Sequence, residues 1–457
     1  MPKLYIFTKS HNDIRYGISA SSRLKGREEW LFISERECDM QKYNLRAARK
    51  ALRLTRTLCG LGALFPVVLC AVPGAAAAAD QPFELIGTVS LPNNQSISAF
   101  DISTVDAEAG IYAFADRTNA SVDVFALNDN ALVDGKANPN FPDKISLAYQ
   151  VPGFRGAFTN HAISGPDGLI VVNHSEIWAG DGNSTVKVIN IASHQITDII
   201  HTGGKLRADE GTFDPVEQVV LIANDADTPW PFISLISAVP NQRGVHEVLG
   251  RITFDGSYSI TSEGVPIKLP AATNGIEASQ YNPATGLFYL DLPQNGANQN
   301  IGATVVIDPK TFRVEQVFTI TDCQPTGMAI GPNNQALLGC SATNNAAATN
   351  LPAQVISLIT GQRLGTFPIT GNDEVWYNPG DNNYFAAGET DVPTSLGIIH
   401  ADPLKFDENI PTAPGAHSVA ADPISNRVFV PLGAGTGNTT CPNGCIGIYR
   451  AETQKAQ

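Results

Sequence analysis

The stretch Asp209-Glu-Gly-Thr-Phe-Asp-Pro215, followed by an aliphatic run at residues 219–223, decides the fold of this chain. A polar residue, a short segment of small or apolar residues, a turn and a β-rich run stand in this order. The same order returns at His417-Ser-Val-Ala-Ala-Asp-Pro423, before residues 428–432. Seven copies lie between residues 101 and 422, and all but the first centre the turn on Asp-Pro, Asn-Pro or Gly-Pro. Self-similarity at such a period is typical of a repeat fold.

The spacing of the copies predicts the kind of repeat. The intervals between leading polar residues run from 44 to 68 residues, which leaves room for four short strands and their turns, the size of one propeller blade. The leading residues are Asp101, Asn160, Asp209, Glu277, Thr326, Asp373 and His417. The runs that follow them predict the second strand of each blade, at residues 111–115, 169–173, 219–223, 287–290, 336–339, 383–387 and 428–432.

The last copy has three strand-like runs, and residues 83–91 offer a fourth. Pairing that run with the last copy would close the ring and leave no long free sheet edge. The sequence therefore predicts an all-β, seven-bladed propeller of four-stranded antiparallel blades, closed by the N-terminal strand of the mature chain and occupying residues 80–457.

The segment before the repeats has the pattern of an export signal. A block of arginines and a lysine at residues 46–56 precedes an apolar run at residues 58–72, and five alanines end at Ala79. This order is typical of a secretory signal peptide at residues 40–79, cleaved near Ala79, and the apolar run is short for a membrane anchor. Residues 1–39 precede Met40 and are interpreted as an N-terminal extension from a misplaced start. We expect no membrane span in the mature chain, and an exported location, periplasmic or extracellular.

The charge balance excludes one class of partner. Residues 1–79 hold 13 of the 30 Lys and Arg and 6 of the 44 Asp and Glu, so the remainder of the chain has a net charge of about −21. A chain of this charge repels phosphate backbones, and we expect no nucleic-acid partner.

Four cysteines remain beyond the leader. An even number in an exported chain favours disulfides, and proximity favours Cys323 with Cys340 and Cys441 with Cys445. Zinc is the alternative, but the spacing of Cys441 and Cys445 is unusual for a zinc site.

Two copies of the repeat resemble a known family. His417-Ser-Val-Ala-Ala-Asp-Pro-Ile-Ser-Asn-Arg-Val-Phe-Val430 and Pro325-Thr-Gly-Met-Ala-Ile-Gly-Pro-Asn-Asn334 are similar to the repeat of the YVTN/YncE-like seven-bladed propellers, which belong with lactonase-type and nitrite-reductase-type propellers. The diagnostic Tyr-Val-Thr-Asn string is absent, and Leu-Ile-Ala-Asn224 is the nearest equivalent. The resemblance covers residues 83–450 and implies the architecture more strongly than a chemistry, because such folds carry many functions.

The sequence predicts that the functional residues lie at the ends of the blade strands. If the first strands run inward from one face, the leading residues surround the mouth of the central channel. Oxygen ligands with one imidazole suit Ca²⁺, Mg²⁺ or Mn²⁺, although the sequence establishes no cofactor. The predicted metal ligands are Asp209, Glu277, Asp373 and His417. Further ligand-binding candidates at the leading positions or the exits of the second strands are Asp101, Asn160, His161, Asp116, His174, Asp225, Asp291 and Glu389. The alternative is that these residues cap tight turns.

His417 is the best candidate for a catalytic residue, because imidazole titrates near neutral pH and can act as a base or a ligand. A histidine hydrogen-bonded to a neighbouring loop is the alternative for His417, and the same two interpretations hold for His161.

Two functions remain open. The first is a monomeric, non-enzymatic binding module whose funnel takes a small molecule or a protein, with or without a cation. The second is a metal-assisted hydrolase of a lactone or small ester, in which the cation polarises the carbonyl or activates water. No Gly-x-Ser-x-Gly, His-Glu-x-x-His or Cys-x-x-Cys-His motif points to another chemistry.

Overall fold

The structure is a computed structural model, and it describes residues 82–127, 145–341 and 351–452 together with strands at 3–8, 14–19, 31–33, 132–133 and 136–137. The chain divides into two compact units, Met1–Ala77 and Ala78–Gln457.

The described part of the first unit is a three-stranded antiparallel sheet. Its strands are Lys3–Thr8, Ile14–Ser19 and Leu31–Ile33, with the second strand between the other two. The predicted extension at residues 1–39 contains these strands. The predicted signal peptide at residues 40–79 lies outside the described residues.

The second unit is a seven-bladed β-propeller, as the repeats predict, with four antiparallel strands in every blade. We number the blades in chain order. Blade 1 has Ser103–Asp106, Ile111–Asp116, Ser121–Ala126 and Ser146–Pro152; blade 2 has Leu169–Val172, Glu176–Asp181, Thr185–Asn190 and Gln195–His201; blade 3 has Gly211–Asp214, Val219–Asn224, Phe232–Ser237 and Val248–Thr253. Blade 4 has Ser279–Asn282, Leu287–Leu292, Ile301–Asp308 and Arg313–Thr321; blade 5 has Pro325–Ile330, Gln335–Cys340, Pro352–Ser357 and Arg363–Thr370. Blade 6 has Asn372–Asn378, Asn383–Gly388, Ser395–Ala401 and Leu404–Pro411; blade 7 has Ala420–Asp422, Arg427–Leu432, Cys445–Ala451 and, as its fourth strand, Phe83–Val89.

The first strands surround the axis of the ring. Each first strand contacts the first strand of the next blade, and that of blade 7 contacts that of blade 1. At this last junction the Ser418 hydroxyl accepts a hydrogen bond from the Ser103 backbone N–H at 2.9 Å. The second strands are buried along most of their length because sheets pack on both of their faces, which explains their continuous aliphatic runs.

Blade 2 differs from the sequence prediction. Residues 169–173 were expected to form its second strand, but Leu169–Val172 is the first strand and Glu176–Asp181 is the second. The predicted turn at Gly165-Pro166 therefore lies before the blade. The true turn follows residue 172, where Asn173 (φ 49°) and His174 (φ 53°) both adopt positive φ, as a tight hairpin turn requires.

Short hairpins and 3₁₀ turns are present in addition to the blade strands. Tyr258–Ile260 pairs with Pro266–Lys268 and Leu132–Val133 pairs with Lys136–Ala137 as short hairpins. Short 3₁₀ turns lie at Pro92–Asn94, His161–Ile163 and Pro332–Asn334. Within the described residues, no helix is long and apolar enough to cross a membrane.

Both disulfides have the pairing that proximity favours. Cys323 is bonded to Cys340 in blade 5, and Cys441 is bonded to Cys445 before the third strand of blade 7. These bonds use all four sulfur atoms, so the alternative zinc site does not form.

Candidate functional site

A cavity of about 1160 Å³ lies where the first strands begin. Its lining is strongly acidic, with two arginines and two histidines among the carboxylates. The acidic residues are Asp101, Asp209, Glu210, Asp225, Asp227, Glu277, Asp373, Glu374 and Glu389, and the basic ones are Arg117, Arg207, His161 and His417. Such an excess of carboxylates in a concave site concentrates negative potential and favours a positively charged occupant.

One backbone contact places an acidic residue at the head of each of the first four blades. In each case its N–H donates to a carbonyl at or just before the end of the second strand, which fixes the residue at the cavity end of the blade. The bonds are Asp101 to Ala115 at 3.0 Å, Asp167 to Gly180 at 3.1 Å, Asp209 to Ala223 at 2.8 Å and Glu277 to Asp291 at 2.9 Å.

Arg207 neutralises part of this charge beside blade 3. Its Nε donates to Asp225 Oδ1 at 3.0 Å, and its Nη2 lies 2.7 Å from Asp225 Oδ2 and 2.9 Å from Asp209 Oδ2. The guanidinium thus takes three of the four oxygens of two buried carboxylates, the kind of forked contact that arginine makes best. Burial raises the pKa of Asp209 well above its usual range, although Arg207 opposes the shift.

Arg117 likewise neutralises carboxylates between blades 1 and 2. Its Nε donates to Asp167 Oδ1 at 2.9 Å, and its Nη2 contacts both Asp167 and Asp101, the latter at 2.5 Å. Burial opposes the charge of Arg117, but these two carboxylates outweigh it and raise its pKa. Burial likewise raises the pKa of Asp167 to about 8, against the effect of Arg117.

Two acceptors beside Arg207 remain unused. Asp209 Oδ1 accepts no hydrogen bond, although the residue is only 3% exposed. The Glu277 carboxylate belongs to the same cluster, in which one oxygen each from Asp209, Asp225 and Glu277 lies within 4.8 Å of the others. Burial first, and then the charge of Asp225, raise the pKa of Glu277 well above its usual range.

A second donor cluster, on blades 1, 6 and 7, adjoins the first, since Asp101 also forms a cluster with Asp167 and Asp209. One ligand atom each from Asp101, Asp373 and His417 lies within 4.8 Å of the other two. His417 Nδ1 lies 2.7 Å from the Gly415 carbonyl and its ring stacks on Phe100, with centroids 4.5 Å apart. Since a carbonyl only accepts, Nδ1 carries the proton, and Nε2 of the neutral ring keeps its lone pair. Burial raises the pKa of Asp373 to about 6, partly offset by His417.

A pair of glutamates meets across the axis. The carboxyl groups of Glu210, before the first strand of blade 3, and Glu374, in the first strand of blade 6, lie close enough to influence each other's pKa. Neighbouring carboxyl groups disfavour the state in which both are charged. Burial first, and then the charge of Glu374, raise the pKa of Glu210 well above its usual range.

Most of the predicted site residues line this one cavity. They are Asp101, His161, Asp209, Asp225, Glu277, Asp373, Glu389 and His417. The four predicted metal ligands divide between the two clusters, Asp209 and Glu277 in one and Asp373 and His417 in the other.

Four predicted ligand-binding residues are not part of the lining. Asn160 caps the 3₁₀ turn by accepting from the Ala162 N–H at 3.2 Å. His174 lies in the hairpin turn of blade 2, where its Nδ1 is 2.7 Å from Asp106 at the far end of the first strand of blade 1. The alternative of structural capping describes these two residues.

Asp116 and Asp291 are fully buried behind the lining. Asp116 accepts from the N–H of Asn119 at 2.9 Å, as a turn cap does. Asp291 accepts from the Thr304 hydroxyl at 2.5 Å, and burial raises its pKa well above the usual range.

Sequence reasoning missed several residues of the lining and its support. Asp167 was missed because the leading position of blade 2 was set at Asn160. Glu210 and Glu374 follow a leading aspartate directly, and these acidic doublets were the available signal. The strand pairing of blade 6 is irregular between Asn372 and Val375, which allows consecutive side chains to face the cavity.

Comparisons with known proteins support the fold and leave the family open. No family model matches the chain, and no curated protein matches it. In contrast, 1399 chains among the solved structures match, which marks a widely used architecture. One belongs to a "Crystal Structure of Mitotic Checkpoint Complex", with a TM-score of 0.54 and 13% identity over 86% of this chain and 100% of that chain. At this identity the likeness shows the fold alone. The second unit is a seven-bladed β-propeller with an acidic cavity at one end.

Proposed function

We propose that the chain is an exported, YncE-like propeller that binds a ligand in its acidic cavity, and that Asp101, Asp373 and His417 hold a divalent cation there. Two disulfides support export, since such bonds persist in oxidising compartments. The two repeat strings of blades 5 and 7 support the family. The mature chain then begins near Asp80, which N-terminal sequencing of the exported protein tests.

The main support for the cation site is the distribution of the arginines among the three donor clusters. Arg207 contacts two of the three carboxylates in the cluster with Glu277, and Arg117 contacts two of the three in the cluster of Asp101, Asp167 and Asp209. In the cluster of Asp101, Asp373 and His417, Arg117 contacts only Asp101, through Oδ2. Among the described residues this leaves two carboxylates and an imidazole close together, with an arginine contact to only one of the carboxylates.

The donor set indicates the class of ion. Carboxylate oxygens suit Ca²⁺, Mg²⁺ and Mn²⁺, and the single imidazole favours Mn²⁺ among them. Burial raises the pKa of Asp373 to about 6, and a cation binds its ionised form, so binding should strengthen as the pH rises through about 6.

The experiment is metal binding by the purified full chain. We expect stoichiometric Mn²⁺ or Ca²⁺ by elemental analysis, and a rise in thermal midpoint on adding the metal that EDTA reverses. Asp373→Asn should abolish the rise. Glu263→Gln, which removes an exposed carboxylate from a distant hairpin turn, should retain it. A metal-free protein whose midpoint ignores EDTA and both ions would contradict the proposal.

One observation favours a second candidate, a metal-assisted hydrolase of a lactone or small ester. The carbonyl of Gly415 fixes the His417 tautomer, so Nε2 keeps its lone pair as a ligand or base in a residue that forms a cluster with Asp101 and Asp373. The cavity is large enough for such a substrate beside the ion. Hydrolysis of a lactone panel that requires added metal and is lost in His417→Gln and Asp209→Ala supports this candidate. Inactivity of metal-loaded protein on the panel refutes it and leaves the binding module.

A further inference from the structure

The cavity wall beside blades 3 and 4 combines acceptors with apolar surface. Trp230 lines it, half-buried between Pro229 and Pro231, and Ala226 and Ala272 complete the apolar part. Below them lie the carboxylates of Asp209, Asp225 and Glu277.

The acceptors at this wall are incompletely used. Arg207 takes both oxygens of Asp225 and one of Asp209, which leaves Asp209 Oδ1 without a partner in a residue that is 97% buried. Glu277 adds a carboxylate within 4.8 Å of the same group, and it accepts no side-chain hydrogen bond among the described residues. An unpartnered buried oxygen beside an unpaired carboxylate calls for a hydrogen-bond donor that carries positive charge.

The geometry selects the kind of donor. A divalent metal would lie beside the Arg207 guanidinium, which already contacts two of the three carboxylates and would repel it. A second guanidinium could make a forked contact only with Glu277, and it would leave Asp209 Oδ1, on a different residue, without a donor. An ammonium group has three separate donors, which suits single oxygens on different residues, and its alkyl stem suits an indole and proline wall.

We propose that this wall binds a primary alkylammonium group, with Asp209 Oδ1 and Glu277 as acceptors and Trp230 packed against the alkyl stem. The inference rests on the proposed ligand-binding function and names its ligand class. The ammonium group can belong to a free diamine or to a lysine side chain of a protein, and the cavity volume admits either.

Titration calorimetry of the full chain in EDTA tests the proposal with three probes. 1,5-Diaminopentane carries two ammonium groups, Nα-acetyl-lysine methylamide presents the same group on a peptide unit, and 1-pentanol has the stem without the charge. We expect both amines to bind, 1-pentanol to bind at least about tenfold more weakly, and added salt to weaken only the amines. Tighter binding of the diamine assigns a free amine, and tighter binding of the lysine derivative assigns a protein side chain.

Variants locate the site. Glu277→Gln, which keeps shape and removes charge, should weaken both amines at least about tenfold, and Trp230→Ala should weaken them less. Glu263→Gln, in the distant hairpin turn, should leave amine binding unchanged, and circular dichroism checks that each variant is folded. Equal binding of 1-pentanol, or full amine binding by folded Glu277→Gln, would overturn the inference. If the amines fail while Mn²⁺ still binds through Asp373, only this inference falls; if neither binds, the proposed function falls as well.

Discussion

Replacing Arg207 with methionine tests the electrostatic account of the cavity. The side chain is 16% exposed and contacts Asp209 and Asp225, whose side chains are 3% and 6% exposed, at 2.9 Å and 2.7 Å. Removing one partner of a buried ion pair leaves uncompensated charge and costs about 3–5 kcal/mol. We therefore expect Arg207→Met to lower the free energy of unfolding by about that amount at pH 8.

The loss should shrink in acid. Arg207 opposes the rise in the pKa of Asp209, so its removal raises that pKa further. A carboxyl whose pKa is raised in the folded state stabilises the fold at low pH, and that stability is lost as the pH rises through the raised value. At pH 5 the carboxyls of the variant take up protons, and we expect a loss at least about 1 kcal/mol smaller than at pH 8.

Urea denaturation at the two pH values measures both effects. Arg363→Met is the matched control, because Arg363 is 45% exposed and lies 4.0 Å from Asp322, and such surface pairs contribute less than about 1 kcal/mol. Adding Asp209→Asn and Asp225→Asn to Arg207→Met should recover part of the loss. Equal losses in Arg207→Met and Arg363→Met, or a loss independent of pH, would refute the reasoning.

Three further predictions concern the blades. Burial, and then a neighbouring carboxylate, raise the pKa of Asp123 to about 7. The free energy of unfolding of the wild type should therefore fall between about pH 4 and 7. Asp123→Asn should reduce this fall by up to about 4 kcal/mol in urea titrations. Replacing Cys323 and Cys340 with serine should cost about 3 kcal/mol, given their separation of 17 residues. Dithiothreitol should lower the urea midpoint of the wild type more than that of this variant, which retains only the disulfide between Cys441 and Cys445. Gly168→Ala should lower the thermal midpoint and weaken Mn²⁺ binding, because its methyl group would overlap the backbone of the acidic pair that begins blade 3. Gly433→Ala, whose methyl group meets only ordinary contacts, should do neither.

The sequence predicted the blades well wherever a proline marks the turn between the first two strands. In blades 3 and 7 an Asp-Pro turn separates them, and the predicted second strands agree with Val219–Asn224 and Arg427–Leu432 within one residue. Blade 2 failed because its turn contains no glycine or proline. Asn173 and His174 adopt positive φ there, and only the asparagine is a residue that turn statistics favour.

The sequence predicted which residues reach the cavity, but not which of them contact one another. Leading residues such as Asp209 and Asp373 reach the cavity because the repeat places them there. Which carboxylates an arginine would neutralise depends on contacts between Arg117 and Asp167, 50 residues apart, and no local pattern records such a contact. The division of the four predicted metal ligands into two clusters has the same cause.

The contact between Glu210 and Glu374 has a consequence for cooperativity. In elongated repeat proteins each repeat contacts only its neighbours, so stability is close to a sum over repeats and interfaces, and partial unfolding from an end is possible. Here the carboxyl groups of Glu210 and Glu374 interact across the axis, although blades 3 and 6 are not neighbours. Neither blade can separate from the ring without breaking this link, which favours unfolding of the seven repeats as a single unit.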